Sequence, residues 1–196
     1  MRYLYDMKMA KTYQKHVYCL EGDWNKDLRD PSSVQAALMF LQHNFGIKFI
    51  HRHCGTKESL VFYLKTWKQK KYKSYPICYF AFHGKPGHLR IGNEYVSLDE
   101  LAETLKNSCR GKIIHFGSCE TLNTDRKNIM RFLEKTGAIC VCGFKKEIDF
   151  LEGSIFDMLL IDMLQYYMDI SLLEKEIKQN YAGLVNKLEF KIFCAP

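Results

Sequence analysis

Short, mostly apolar runs alternate along the chain with stretches of helical spacing. Residues 17–20, 47–50, 77–82, 113–116 and 138–142 read as strands. Between the first two, Val34, Ala37, Leu38 and Leu41 fall on one face of a helix that Ser32 or Ser33 can cap and that runs to about residue 44. Thr56-Lys57-Glu58-Ser59 opens a second helix, to about residue 70. Residues 89–96 alternate with period two around Gly92-Asn93 and read as a small exposed hairpin. Ser97 caps the next helix, with Glu100 three residues on. A further helix runs from Asn123 or Thr124 to about residue 135, and a long apolar one from about 151 to 168. The tail adds another helical segment and an edge strand at 189–193.

Strands alternating with helices predict an α/β protein with a mainly parallel central sheet. Strands that are apolar throughout, rather than at every second position, predict a sheet covered by helices on both faces. The expected architecture is therefore a three-layer sandwich, with residues 1–196 forming a single domain. In such sheets ligands and chemistry collect outside the carboxyl ends of the strands. His83 and Cys119 each stand just past such an end, so they share one rim if their strands are neighbours.

Composition narrows the partners. The chain has 196 residues, 47% of them apolar and 26% charged, as in a globular protein. The net charge of +7 permits an acidic partner. The basic residues are scattered, however, and the densest run, residues 68–73, reads as a solvated helix end or loop. No nucleic-acid motif accompanies the charge, so nucleic acid is not an expected partner. No stretch approaches the ~18 apolar residues of a membrane span. Met1-Arg2-Tyr3-Leu4-Tyr5-Asp6 lacks the apolar core of a signal peptide. Of eight Cys, positions 19, 78, 140 and 142 lie in apolar runs, where a thiol behaves as a small hydrophobe. The expected compartment is a reducing cytoplasm.

His83 and Cys119 carry the candidate chemistry. A Cys needs a nearby base to act as a nucleophile near neutral pH. His83 could be that base and later protonate a leaving amine. The backbone N–H groups of Gly84 and Cys119 could form an oxyanion hole. The same residues would also suit a protein without activity, in which a His caps one strand and a Cys ends another.

The ordered set Phe82-His83-Gly84, Val96-Ser97-Leu98-Asp99-Glu100-Leu101 and Gly117-Ser118-Cys119-Glu120-Thr121-Leu122 resembles the CHAT branch of the caspase, separase and gingipain group of cysteine peptidases. Ala138-Ile139-Cys140-Val141-Cys142-Gly143-Phe144, followed by a long helix with Phe156, continues the pattern, so the resemblance spans about residues 75–168. It implies a caspase-like fold, His83 as base, Cys119 as nucleophile and no cofactor. The Gln-Ala-Cys-x-Gly signature of true caspases is absent. The resemblance also implies that the loop at 144–150 helps build the pocket for the residue before the cut. Asp149 would be its acidic residue, giving cleavage of a protein or peptide after Arg or Lys. The alternative is that Asp149 only caps the helix starting near Leu151, and Lys145 and Lys146 make the loop mixed in charge. Many such domains are bacterial effectors restrained by a sensor protein, and the resemblance implies that regulation here. The competing expectation is an inactive caspase-like or flavodoxin-like interaction module.

Other candidates are weaker. His51 and His53 would share a strand face with chelating spacing, but no second ligand cluster accompanies them and Arg52 would repel a cation. His115 lies inside a strand and reads as a satisfied core or rim histidine. His88 does not end a strand. Cys140 and Cys142 share one strand face and read as core. Ser118 lacks the Gly-x-Ser-x-Gly elbow of serine hydrolases, and no Gly-rich phosphate loop joins a strand to a helix.

Overall fold

Four of the strands are buried at every position, and that is what places them at the centre of the sheet. In the computed structural model, which describes residues 14–195 apart from Leu28, these are β1 (Val17–Glu21), β3 (Ile77–Ala81), β7 (Ile113–Phe116) and β8 (Cys140–Phe144). The edges are β2 (Phe49–His53) and β9 (Phe190–Cys194), which are only partly buried. The order is β2-β1-β3-β7-β8-β9; every pairing is parallel except β8 with β9. The reading of Met1 to Asp6 lies outside the described residues.

Period-two alternation divides the side chains of these strands between two cores. Tyr18, Leu20, Phe80, Ile114, Phe116 and Val141 point to one face. There they meet α2 (Lys57–Trp67), α3 (Leu98–Thr104) and α4 (Arg126–Thr136). Val17, Cys19, Ile77, Tyr79, Cys140 and Cys142 point to the other. There they meet α1 (Gln35–Phe45), α5 (Phe150–Met163), α6 (Ile170–Asn180) and α7 (Ala182–Lys187). The protein is thus a three-layer α/β sandwich with a mainly parallel sheet, as the apolar runs predict. The Ser97–Glu100 cap anticipated from sequence forms as a capping box, and Thr56, expected only to open its helix, forms one with Ser59.

Five details differ from expectation. β2 runs on through His51 and His53, because an edge strand tolerates polar residues. The small hairpin is three-stranded: β4 (His83–Lys85) pairs with β5 (His88–Ile91), which pairs with β6 (Glu94–Ser97). The cap of α1 is Val34, one residue after Ser33, whose hydroxyl donates to Glu21 and accepts the Gln35 N–H. The long helix stops at Met163, and α4 follows Asp125 without a side-chain cap.

The sheet order reverses direction between β1 and β3. A chain that leaves β1 on one side and β3 on the other opens a crevice at their carboxyl ends. Glu21, Trp24, His83 and Cys119 all stand at that end.

Candidate active site

The ladder between β3 and β7 continues to the edge of the site: Phe80 pairs with Phe116, and the Gly117 N–H donates to the Phe80 carbonyl at 3.0 Å. The chain then runs through buried Phe82 to His83 on one strand and through buried Ser118 to Cys119 on the other. His83 and Cys119, both partly buried, line one pocket of about 130 Å³ with Trp24, Tyr79, Ile148 and Phe150. Glu147, Asp149 and Asp157 also line it, and among the described residues no Lys or Arg does.

The orientation of His83 follows from its partner. Its Nε2 lies 2.7 Å from the Trp24 carbonyl oxygen. A carbonyl oxygen only accepts, so Nε2 carries the proton and Nδ1 the lone pair. The Trp24 indole meets the imidazole edge-on at 5.4 Å between centroids, and Phe150 meets the indole in the same way at 5.0 Å.

The Cys119 sulfur is held by the loop that follows β8. It accepts the Ile148 N–H at 3.4 Å, and the thiol donates to the Ile148 carbonyl at 3.7 Å. Burial pushes the thiol pKa up; the Ile148 N–H pulls it back and nearby Glu147 pushes it up again. The net direction is upward, so the resting group is the thiol. The next residue, Glu120, has a φ of 54°, a left-handed conformation that costs a non-glycine residue about 1–3 kcal/mol. Backbone bonds from Glu120 to Lys146 and from Leu122 to Phe144 lock that turn onto the same loop.

Asp149 performs the capping role. Its Oδ1 accepts the N–H groups of Leu151 at 2.9 Å and Glu152 at 3.1 Å. It is also exposed and on the pocket wall. Gly84 packs on Cys119: a methyl group there would lie 2.2 Å from the Cys119 carbonyl oxygen and 2.4 Å from Thr121 Oγ1.

Beneath the pocket lies a buried polar cluster. Tyr79 donates to Asp157 Oδ2 at 2.6 Å, and His115 Nε2 donates to Asp157 Oδ1 at 2.7 Å. His115 Nδ1 lies 3.4 Å from the Cys142 sulfur, whose thiol faces the Ile114 carbonyl at 3.8 Å. Burial drives the pKa values of Tyr79 and Cys142 well upward, so both remain donors. His115 is the satisfied core histidine its place in the strand predicts. Asp157, Trp24, Glu21 and Ile148 were not candidates from sequence. Asp157 left a signal, a lone acid in the apolar stretch 155–161; the other three act through backbone atoms or distant partners.

The remaining candidates fall elsewhere. His51 Nε2 is 2.6 Å from Glu21 and His53 Nε2 2.9 Å from Asp23, so each histidine already has a carboxylate partner. Among the described residues no group of three or more His, Cys, Asp or Glu is placed to hold a metal ion. His88 bonds the Pro86 carbonyl. All eight Cys are free thiols. Among the described residues no helix is long and apolar enough to cross a membrane.

A family model described as a family of unknown function, DUF6642, matches residues 14–194, and the chain belongs to that family. No curated protein matches the chain.

Proposed function

We propose that this DUF6642 member is a cysteine endopeptidase of the caspase-like, CHAT type, with Cys119 as nucleophile and His83 as base. The observation that carries the reading is that Cys119 lines the same pocket as a His whose Nε2 proton is already committed to the Trp24 carbonyl. That leaves Nδ1 as the only basic atom of the imidazole.

In the proposed reaction, Nδ1 takes the Cys119 proton as the sulfur attacks the scissile carbonyl carbon. The oxygen gains the negative charge, which the N–H groups of Gly84 and Cys119 are proposed to stabilise. The imidazolium, held by the Trp24 carbonyl, returns its proton to the departing amine and leaves a thioester. Water, deprotonated by Nδ1, then attacks the thioester. The acid leaves and the thiol is restored. Because the thiol rests protonated, His83 acts as a general base in this scheme rather than as half of a standing ion pair.

Three carboxylates at the pocket, with no Lys or Arg there among the described residues, favour a basic side chain before the cut. The Ile148 grip on the sulfur favours a latent enzyme that a partner protein releases by moving the 145–149 loop. Eight free thiols favour a reducing cytoplasm as its place of action. A second reading, an interaction module without activity, is favoured by Phe150, Leu151 and Ile155, which α5 exposes beside the pocket.

Labelling with an Arg-directed acyloxymethyl ketone and peptide mapping test the proposal. Modification confined to Cys119, absent in Cys119→Ala and slowed in His83→Ala, supports it. Equal modification of several cysteines sinks it in favour of the interaction module.

A further inference from the structure

Glu21 ends an otherwise apolar strand and is only 3% exposed. Burying a carboxylate is costly unless hydrogen bonds replace its water. Glu21 has four donors from three separate parts of the chain. They are Trp24 Nε1 at 2.5 Å, Ser33 Oγ at 2.6 Å, the Val34 N–H at 2.7 Å and His51 Nε2 at 2.6 Å. Burial works to raise its pKa, and the bonds from His51, Ser33, Trp24 and Val34 outweigh it, leaving the carboxyl below its usual range. The carboxylate therefore gathers the segment after β1, the start of α1 and the edge strand β2 around one point.

One of those donors leads to the dyad. Glu21 grips the indole of Trp24, and the backbone carbonyl of the same residue receives the His83 proton. The base of that segment is fixed as well, by the Gly22 N–H on the Ala81 carbonyl two residues before His83. Among the described residues His83 has no other hydrogen-bond acceptor. The protonation pattern of the imidazole thus depends on where the Trp24 carbonyl stands, and that depends on the indole–carboxylate bond.

We infer that Glu21 is a positioning residue for His83, acting through Trp24. This rests on the dyad proposed above. The carboxylate holds the indole, the indole holds the carbonyl, and the carbonyl keeps the proton on Nε2 so that Nδ1 is free to take the Cys119 proton. His51 and Ser33 complete the carboxylate shell.

The test is the pH profile of Cys119 alkylation by iodoacetamide, measured by peptide mapping on the full chain, with thermal melting of each variant alongside. In wild type the rate should show an inflection that His83→Ala lacks. Glu21→Gln and Trp24→Phe should lower the His83-dependent part by about 10- to 100-fold. Ser33→Ala should cost comparable stability to Trp24→Phe but leave the profile in place. Trp24→Phe keeps the backbone carbonyl and removes the indole N–H together with part of the ring that packs on His83 and Phe150, so a loss there counts for the inference only when Glu21→Gln shows it too, while an unchanged profile in a folded Trp24→Phe counts against it by itself. An unchanged profile in a folded Trp24→Phe, or an equal loss in Ser33→Ala, overturns the role of Glu21. A wild-type profile identical to His83→Ala overturns the dyad itself, and with it the inference.

Discussion

Gly84 lies with its Cα against the backbone of Cys119, so closely that an added methyl group would stand 2.2 Å from the Cys119 carbonyl oxygen. The glycine is required here by space. Its other near neighbours would be Thr121 Oγ1 at 2.4 Å and Ser118 Cβ at 3.2 Å. A backbone carbonyl cannot swing aside as a long side chain can. Gly84→Ala should therefore destabilise the fold by about 1–3 kcal/mol and displace Cys119 relative to His83. Thermal melting and the rate of Cys119 labelling should both fall. Gly183→Ala, where nothing lies within 4 Å of the new methyl group, is the control and should leave labelling unchanged.

Asp149 caps α5 and is proposed to recognise a basic side chain, and the two roles separate by substitution. Asn caps helices about as well as Asp, whereas Ala costs about 1 kcal/mol. Asp149→Asn should leave the melting temperature in place, and Asp149→Ala should lower it. Under the proposed specificity, both should lower kcat/KM for an Arg peptide relative to its uncharged citrulline counterpart. A preference unchanged in Asp149→Asn would confine Asp149 to capping.

The cluster beneath the pocket predicts a large asymmetry between two substitutions of Asp157. Asp157→Ala strands the Tyr79 hydroxyl and His115 Nε2 without an acceptor. With each buried orphan costing about 1–3 kcal/mol, the loss should be roughly 2–6 kcal/mol. Asp157→Asn retains an acceptor and the volume, so it should lose less. Urea unfolding at constant m-value would measure both.

Buried thiols predict sensitivity to alkali. Burial pushes Cys109 to about 11 and Cys54 to about 12, against about 8.5 in an unfolded chain. Below that value both states keep the proton, and the stabilisation is fully present. Above it the unfolded chain releases protons that the native one retains, so stability is lost as pH rises toward 11 for Cys109 and 12 for Cys54. Each thiol should remove about 1.4 kcal/mol per pH unit in that window. Melting in a reductant between neutral pH and pH 10 should show a progressive fall, and a flat profile would contradict the burial of these groups.

The central strands were readable because both their faces are buried, which leaves a continuous apolar run in the sequence. β2 was half read: its polar end, His51-Arg52-His53, is stable on the sheet edge because Glu21 and Asp23 meet the two histidines. β4 escaped notice because three residues with a glycine carry no pattern; only pairing with β5 makes them a strand. His83 and Cys119 were visible as reactive residues at strand ends, and their shared pocket followed from the neighbouring of β3 and β7. Trp24 and Ile148 were not visible, since they act through a main-chain carbonyl and N–H that every residue possesses. Asp149 as a cap could be read from its place before a helix.

β9 runs back beside β8 and sets Phe190 against Phe156, Phe144 and His115, with centroid separations of 4.5, 5.8 and 6.4 Å. The Glu189 carbonyl also receives the Lys145 N–H at the root of the loop that grips Cys119. The order of synthesis acquires a meaning from this. While a ribosome is still making β9, His83, Cys119 and Asp149 have long been translated, yet β8 has a bare edge and the loop has lost one of its moorings. Both contacts come from a segment translated after every residue that lines the pocket, so the loop that holds Cys119 gains its β9 mooring only once residues 189–194 have emerged.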